Sequence, residues 1–271
     1  QKIKMIFVSD LDRTLIFSRR FLIPGNIILV EKAENREISY MTGQAINLLK
    51  EIMKAIVFIP VTTRIVQQFK RISLFQSDIV PEYAVTSNGG RILVKGEIDE
   101  EWDSCIMKRM KDVLHPSEIF QKFERIIDSC RVNSCRLCDD MFWTVIMEEN
   151  YILEEELYNY INWASNNKWK ILLSGRKLYI LPEFINKWNA VEYINRKLGY
   201  KKIISAGDSL VDYELLKKSS LAFVPSHGEI RKYMEVNNIK EDHIRFTEST
   251  GIMAGEEILR SLCEYVKSEK K

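Results

Sequence analysis

The sequence predicts an α/β fold: a Rossmann-like parallel-sheet core with helices on both faces, interrupted by an inserted α+β cap domain. Three observations predict it. Over residues 1–90, short apolar runs that read as buried strands alternate with stretches of helical spacing, the pattern of a parallel sheet covered on both sides. From residue 91 to 182 this gives way to paired strand-like runs with helices between them. At residue 183 the first pattern resumes. The expected organisation is therefore a core of 1–90 and 183–271 around an insertion of 91–182.

Taken in order, Ile3–Val8 is a strand, followed by a hairpin over Phe21–Ser39 with its turn near Pro24-Gly25. Thr42 can cap a helix whose apolar stripe runs through Ala45, Ile46, Leu48, Leu49, Ile52 and Met53. Ile56–Val61 is a second buried strand, Val66–Leu74 a second helix and Tyr83–Thr86 a third strand ending at Ser87-Asn88-Gly89-Gly90. The insertion opens with a hairpin over Arg91–Ile98, turning at Lys95-Gly96. It continues with helices at Cys105–Leu114 and Ser117–Ile127 and strands at Cys130–Leu137 and Phe142–Met147. A helix at Glu154–Ala164 and strands at Trp169–Leu173 and Leu178–Leu181 complete it. After Pro182 come a helix at Asn186–Leu198 stopped by Gly199, a strand at Ile203–Ala206, a helix at Val211–Lys217, a strand at Leu221–Val224 and a last helix at Ile252–Val266.

Composition excludes several classes. With 46% hydrophobic and 29% charged residues over 271 positions, the chain can bury a sizeable core. A net charge of +2 gives no electrostatic case for nucleic acid or an anionic membrane as partner. No apolar run approaches the roughly 20 residues that span a bilayer. No secretory leader is in view, and five cysteines are too few for a disulfide scaffold. A cytoplasmic setting is the expectation.

Chemistry-bearing residues sit at the ends of the apolar runs. Met5–Val8 leads into Asp10 and Asp12; Phe58–Val61 leads into Thr62-Thr63-Arg64; Ile203–Ala206 leads into Gly207-Asp208, with Asp212 four residues on. Lys187 opens a helix. Two acids two apart at a strand end point to the same side and crowd one another unless a cation or proton relieves them. One can attack phosphorus while the other handles a leaving-group proton. Each feature also has an ordinary structural role. Asp12, Thr62, Thr63, Asp208 and Asp212 could cap helices, and a lone lysine is usually solvated. Their joint occurrence in this order on alternating elements favours phosphoryl-transfer chemistry.

The constellation resembles the haloacid dehalogenase (HAD) superfamily, whose four motifs are D-x-D-x-T, a strand-end Thr or Ser, a downstream Lys and an acidic G-D-x-x-x-D. The insertion before the lysine resembles the large α+β cap of the sucrose-phosphatase-like and Cof-like branch, and Ser87-Asn88-Gly89-Gly90 resembles that branch's substrate loop. The resemblance implies a Mg²⁺-dependent phosphatase of a small phosphorylated metabolite, most naturally a sugar phosphate. Asp10 would be the nucleophile, and Asp12 the acid that then activates water. Thr62 and Lys187 would hold the phosphoryl oxygens. Mg²⁺ would take the Asp10 carboxylate, the Asp12 carbonyl and Asp208, while Asp212 would act through water or hold Lys187. Arg13, Thr63, Arg64, Asn88 and Gly89 are the expected substrate-binding residues. Mg²⁺ prefers such oxygen ligands, and phosphoryl transfer needs positioning and charge neutralisation above all.

The chain departs from that pattern at Arg13, where Gly is usual, at Thr63 and Trp188, again in place of Gly, and at Val211, in place of Asn. A related phosphomutase and a catalytically idle phospho-ligand or protein-binding scaffold are the rival readings. Cys130, Cys135 and Cys138 have a spacing seen in metal sites. They lack an obvious fourth ligand, and no structural metal is expected there. Trp102, Trp143, Trp163 and Trp169 fall in the insertion. Most should pack in its core, with one or two available to stack on a sugar ring.

Overall fold

The computed structural model describes residues 3–127, 131–148, 155–200 and 202–269. It divides into two compact units, Gln1–Ile98 with Lys187–Lys271, and Asp99–Asn186.

The first unit is built on five parallel strands: β1 (Met5–Ser9), β4 (Val57–Pro60), β12 (Lys202–Ala206), β13 (Leu221–Val224) and β14 (Ile244–Phe246), in the order β14-β13-β12-β1-β4. β1 is buried at every position, as an apolar strand covered on both faces must be. Alternation assigns the two faces. Leu221 and Phe223 pack in the same cluster as Phe7, Phe58 and Ile204, whereas Ala222 and Val224 pack in another. Two helices cover the first face, α1 (Gly43–Ala55), capped by the Thr42 hydroxyl, which accepts from the Ala45 N–H at 2.9 Å, and α9 (Ile252–Ser268). Leu49 and Ile52 meet Ile258, Leu259 and Leu262 there. On the opposite side lie α7 (Tyr213–Lys218) and α8 (Ile230–Val236), through Leu216, Ile230 and Met234.

The chain runs from β1 outward to β4 and later returns to the other side of β1 to lay down β12, so β1 and β12 flank a topological switch point. Open α/β sheets form their clefts at the carboxyl ends of such strands.

Several elements differ from expectation. The hairpin is β2 (Ile27–Ala33) and β3 (Arg36–Thr42), and it turns at Glu34-Asn35, with Glu34 left-handed, not at Pro24-Gly25. α2 (Val66–Lys70) stops short, and Leu74–Asp78 forms a separate wide helical turn. α8 and β14 were not anticipated. The hairpin of β6 (Arg91–Val94) and β7 (Glu97–Ile98), with both Lys95 and Gly96 left-handed as a tight turn demands, pairs with β5 (Tyr83–Thr86). β5 is bridged in parallel to Val61. Those ladders keep the hairpin in the first unit and move the boundary from residue 91 to 99; the return falls at 187.

The second unit holds α3 (Glu100–Met110), α4 (Pro116–Ile126), β8 (Val132–Cys138), β9 (Phe142–Met147), α5 (Glu155–Asn166), β10 (Trp169–Ser174) and β11 (Lys177–Pro182). Its antiparallel sheet has the order β10-β11-β9-β8, and α4 and α5 pack on it through Ile119, Phe123, Leu157 and Tyr160. Trp102 and Trp169 are buried. Trp143 stacks on Phe120 and donates to the Pro116 carbonyl, and Trp163 lies against Tyr160 beneath Lys122. The tryptophans are thus taken up by packing. Cys135 is exposed and Cys138 buried, on opposite faces of β8; Cys130 lies outside the described residues. Among the described residues no helix is long and apolar enough to cross a membrane.

Back in the first unit, α6 (Lys187–Leu198) buries Lys187, Ala190, Val191 and Ile194.

Candidate active site

Asp10 follows β1, and its N–H donates to the Ala206 carbonyl at the end of β12, which fixes it at the switch point. Its carboxylate is buried. Oδ1 accepts from Lys187 Nζ at 2.5 Å and Oδ2 from the Thr14 hydroxyl at 3.3 Å. Lys187 is only 1% exposed, and its ammonium also donates to Asp212 Oδ1 at 2.5 Å. A buried cation at a helix N-terminus opposes the helix dipole; two carboxylates offset that cost.

Asp212 is fully used. Its Oδ2 accepts from the Asp208 N–H at 3.2 Å, the Ser209 N–H at 3.1 Å and the Ser209 hydroxyl at 3.0 Å. The turn that allows this needs Gly207. A Cβ there would lie 2.5 Å from Asp212 Cβ. Gly228 does the same behind Asp208, whose carbonyl would lie 2.4 Å from an added Cβ.

The carboxylates of Asp10, Asp208 and Asp212 offer ligand atoms within 4.8 Å of one another, all buried. Burial pushes Asp10 up to about 7, Lys187 pulls it back, and Asp212 and Asp12 push it further up. Burial likewise raises Asp208 well above the carboxylate range, helped by Asp10 and Asp212 and opposed by Arg13 and Lys187. Burial would lower the Lys187 ammonium, but Asp10 and Asp212 raise it above its usual value. Asp208 Oδ2 is buried and, among the described residues, takes no hydrogen bond; Arg13 Nε stands 3.3 Å away. Crowded buried anions with an unused oxygen are the setting that a hard divalent cation relieves. The residues present fit one at Asp10 and Asp208, with Asp212 behind them holding Lys187.

The other expected residues are placed as follows. Thr62 is fully buried; its hydroxyl accepts from the Arg64 N–H at 3.1 Å. Thr63 is partly exposed. Ser87 and Asn88 donate backbone N–H groups to the Arg64 and Thr62 carbonyls, and both are left-handed, so Asn88 and Gly89 are laced against the Thr62 segment. The Asp12 carboxylate lies outside the acidic cluster. It is gripped by a two-pronged fork from Arg64, Nε to Oδ2 at 2.7 Å and Nη2 to Oδ1 at 2.8 Å. Arg64, expected at substrate, is thus engaged with Asp12, and also with Glu31 at 2.8 Å.

Arg13 is left-handed at φ 63°, and its Nη2 donates to the His227 carbonyl at 3.1 Å. His227 was missed by sequence reasoning. Its Nδ1 accepts from the Gly251 N–H at 3.1 Å, so Nε2 carries the proton and donates to the Arg13 carbonyl at 2.8 Å. Burial lowers its pKa, which suits that neutral form. Glu31 was missed too; the only signal was a charge following the apolar run Ile27–Val30.

The family model for sucrose-6F-phosphate phosphohydrolase matches residues 3–258. Among solved structures, the sucrose-phosphatase of Synechocystis sp. PCC6803, solved with sucrose and phosphate, superposes with a TM-score of 0.72 at 14% identity, covering 97% of this chain and 98% of that one. The HAD subclass IIB sugar phosphatase BT4131 gives 0.64 at 14% identity, covering 98% and 99%. The HAD phosphatase BT1666 from Bacteroides thetaiotaomicron gives 0.56 at 13% identity, covering 98% and 96%. At such identities the likeness is one of fold. No curated protein matches the sequence.

Proposed function

We propose, on the premise that this chain belongs to the sucrose-6F-phosphate phosphohydrolase family, that it is a Mg²⁺-dependent phosphatase of a sugar phosphate, working through Asp10. The chain is a phosphoric monoester hydrolase of the HAD superfamily, with sugar-phosphatase-like function. The metal, the sugar and the residue roles are the proposed part.

The observation that carries the reading is the buried ammonium of Lys187 clamped between Asp10 and Asp212, beside an Asp208 oxygen that takes no hydrogen bond and faces Arg13. An Asp10 oxygen attacks phosphorus, and the bond from phosphorus to the sugar oxygen breaks. The departing oxygen takes a proton from Asp12. Water then attacks the aspartyl-phosphate, gives its proton to Asp12 and releases phosphate, which restores Asp10. Lys187 and the Thr62 hydroxyl hold phosphoryl oxygens, and the Asn88-Gly89 segment fixes Thr62 in place. Asp10, Asp208 and the Asp12 carbonyl would hold Mg²⁺, which supplies charge neutralisation of the phosphoryl group.

Two measurements test this. Borohydride reduction of protein quenched during turnover should convert Asp10, and no other aspartate, to homoserine by peptide mass spectrometry. Asp10→Asn should abolish both the label and turnover of a sugar-phosphate panel that begins with sucrose 6-phosphate. Label elsewhere, or turnover that survives in Asp10→Asn, refutes the assignment.

A further inference from the structure

Asp12 can serve a leaving oxygen only if its carboxylate is held in place, and the structure shows a chain of contacts that does so from a distance. The Arg64 fork grips both Asp12 oxygens. Its remaining donor, Nη1, is held by Glu31 Oε1 at 2.8 Å. Glu31 is fully buried, an exceptional place for a carboxylate unless it is paired. It is fixed in turn by the Ser39 hydroxyl, which donates to Oε2 at 2.7 Å, and by Arg71 Nη2 at 3.2 Å.

Glu31 points inward because of a fault in the β2–β3 ladder. Leu29 pairs with Tyr40, but the next paired residue is Glu31, opposite Ser39, so Val30 is an extra residue in β2. The register recovers between Glu31 and Lys32, where Ile38 is the extra residue in β3. Val30 and Glu31 are consequently buried side by side, against the usual alternation. Bulges re-aim side chains in this way, and they are over-represented beside active sites. An isolated bridge from Glu31 to Ile72 ties the same spot to the segment after α2.

We propose that Glu31 is a positioning residue for the reaction: through Arg64 it fixes the place and orientation of the Asp12 carboxylate at the leaving oxygen. The inference rests on the acid–base reading of Asp12 above. Arg64 shares its charge between Asp12 and Glu31. Loss of Glu31 removes the charged anchor behind the fork and leaves only the Ser39 hydroxyl, 3.4 Å from Nη2, so the guanidinium is freer to swing and keeps Asp12 as its one anionic partner. Both changes impair proton delivery without touching Asp10, Lys187 or the acidic cluster.

The test is a leaving-group comparison on the Mg²⁺-loaded enzyme, reading kcat/KM for dinitrophenyl phosphate and for phenyl phosphate. The first leaving group departs unaided; the second needs a proton. General acids contribute on the order of 10²–10⁴-fold, so Asp12→Ala should slow phenyl phosphate by about that factor and dinitrophenyl phosphate far less. Glu31→Gln should show the same selectivity at smaller size, with roughly tenfold loss on phenyl phosphate and under about threefold on dinitrophenyl phosphate. Ser39→Ala removes a hydroxyl that donates to Glu31 and accepts from Arg64 Nη2 at 3.4 Å, without unpairing a charge. It should show the selectivity in weaker form, and it serves as the test if Glu31→Gln does not fold. Selectivity in Asp12→Ala with equal losses, or none, in the folded Glu31 or Ser39 variants overturns the role of Glu31 alone. Absence of selectivity in Asp12→Ala overturns the acid–base reading and the proposal with it.

Discussion

Arg13 offers the sharpest perturbation, because it places a cation against an expected metal ligand. Its Nε lies 3.3 Å from Asp208 Oδ2, in a left-handed backbone conformation that non-glycine residues seldom adopt. Replacing it with Gly removes strain of about 1–2 kcal/mol, but it adds a backbone-entropy cost of about 0.5–1 kcal/mol and gives up the hydrogen bond to the His227 carbonyl and the pairing with Asp208, each worth about 1 kcal/mol, so folding stability should fall by about 1 kcal/mol. The electrostatic consequence falls on the metal site. Two unit charges at this distance attract by about 5 kcal/mol at an effective dielectric of 20 and by about 1.3 kcal/mol in water. The Arg13 side chain is 35% exposed and Asp208 5%, which places the pair towards the screened end, at about 1 kcal/mol. Mg²⁺ must displace that pairing to use the oxygen. Arg13→Gly should therefore bind Mg²⁺ about fivefold more tightly in calorimetric titration of metal-free protein at a pH where Asp208 is ionised. Arg13→Asn, which tolerates the left-handed backbone and carries no charge, should match it. Arg13→Lys, which keeps the charge, should bind Mg²⁺ like the unmodified chain. An unchanged or weaker affinity in both neutral variants would refute the competition argument.

Two further outcomes are expected. In metal-free protein, Asp10 is pushed from 3.8 to about 7, so the folded state keeps a proton that the unfolded chain releases. This contribution to stability is complete below about pH 4 and is lost as pH rises through about 7. The melting temperature in chelator should fall across that window, and Asp10→Asn should flatten the slope; a rising melting temperature, or the same slope in Asp10→Asn, contradicts it. In Gly207→Ala, the added Cβ would lie 2.5 Å from Asp212 Cβ and 2.6 Å from its Cγ. Overpacking of this kind costs about 1–3 kcal/mol, visible as a lower urea midpoint with an unchanged slope. An unchanged midpoint would show that the turn can yield without disturbing Asp212.

What the sequence made legible is what neighbouring residues decide. Met5–Val8 reads as a buried strand because four apolar residues in a row can be hidden only between two layers, and Ile203–Ala206, with the small Ser205 as its one polar member, reads the same way; the acids just beyond them therefore fall at strand ends. Thr42 as a cap and Lys95-Gly96 as a turn were equally local. α8 and β14 escaped notice because seven residues that bury a single apolar pair, Ile230 and Met234, and three residues of strand are too short to display a period. The boundary near residue 91 was misplaced for a different reason: which sheet claims a hairpin depends on β5, a partner that no local pattern identifies.

The same distinction explains why the charges were the hardest residues to read. By itself Lys187 belongs in water. It is buried because Asp10 and Asp212, 177 and 25 residues away, converge on one ammonium. Glu31 is the stronger case, since even its direction defies the alternation of its strand until the extra residue Val30 is known. A buried charge is tolerable only where its partners are already assembled, so its position is a property of the tertiary fold and not of its segment. This gives the network around Asp12 its meaning. Arg64 could have faced solvent or substrate, as the sequence allowed. A buried carboxylate and a buried hydroxyl are instead used to hold it against Asp12, and an arrangement that costs so much desolvation is best understood by what it orients.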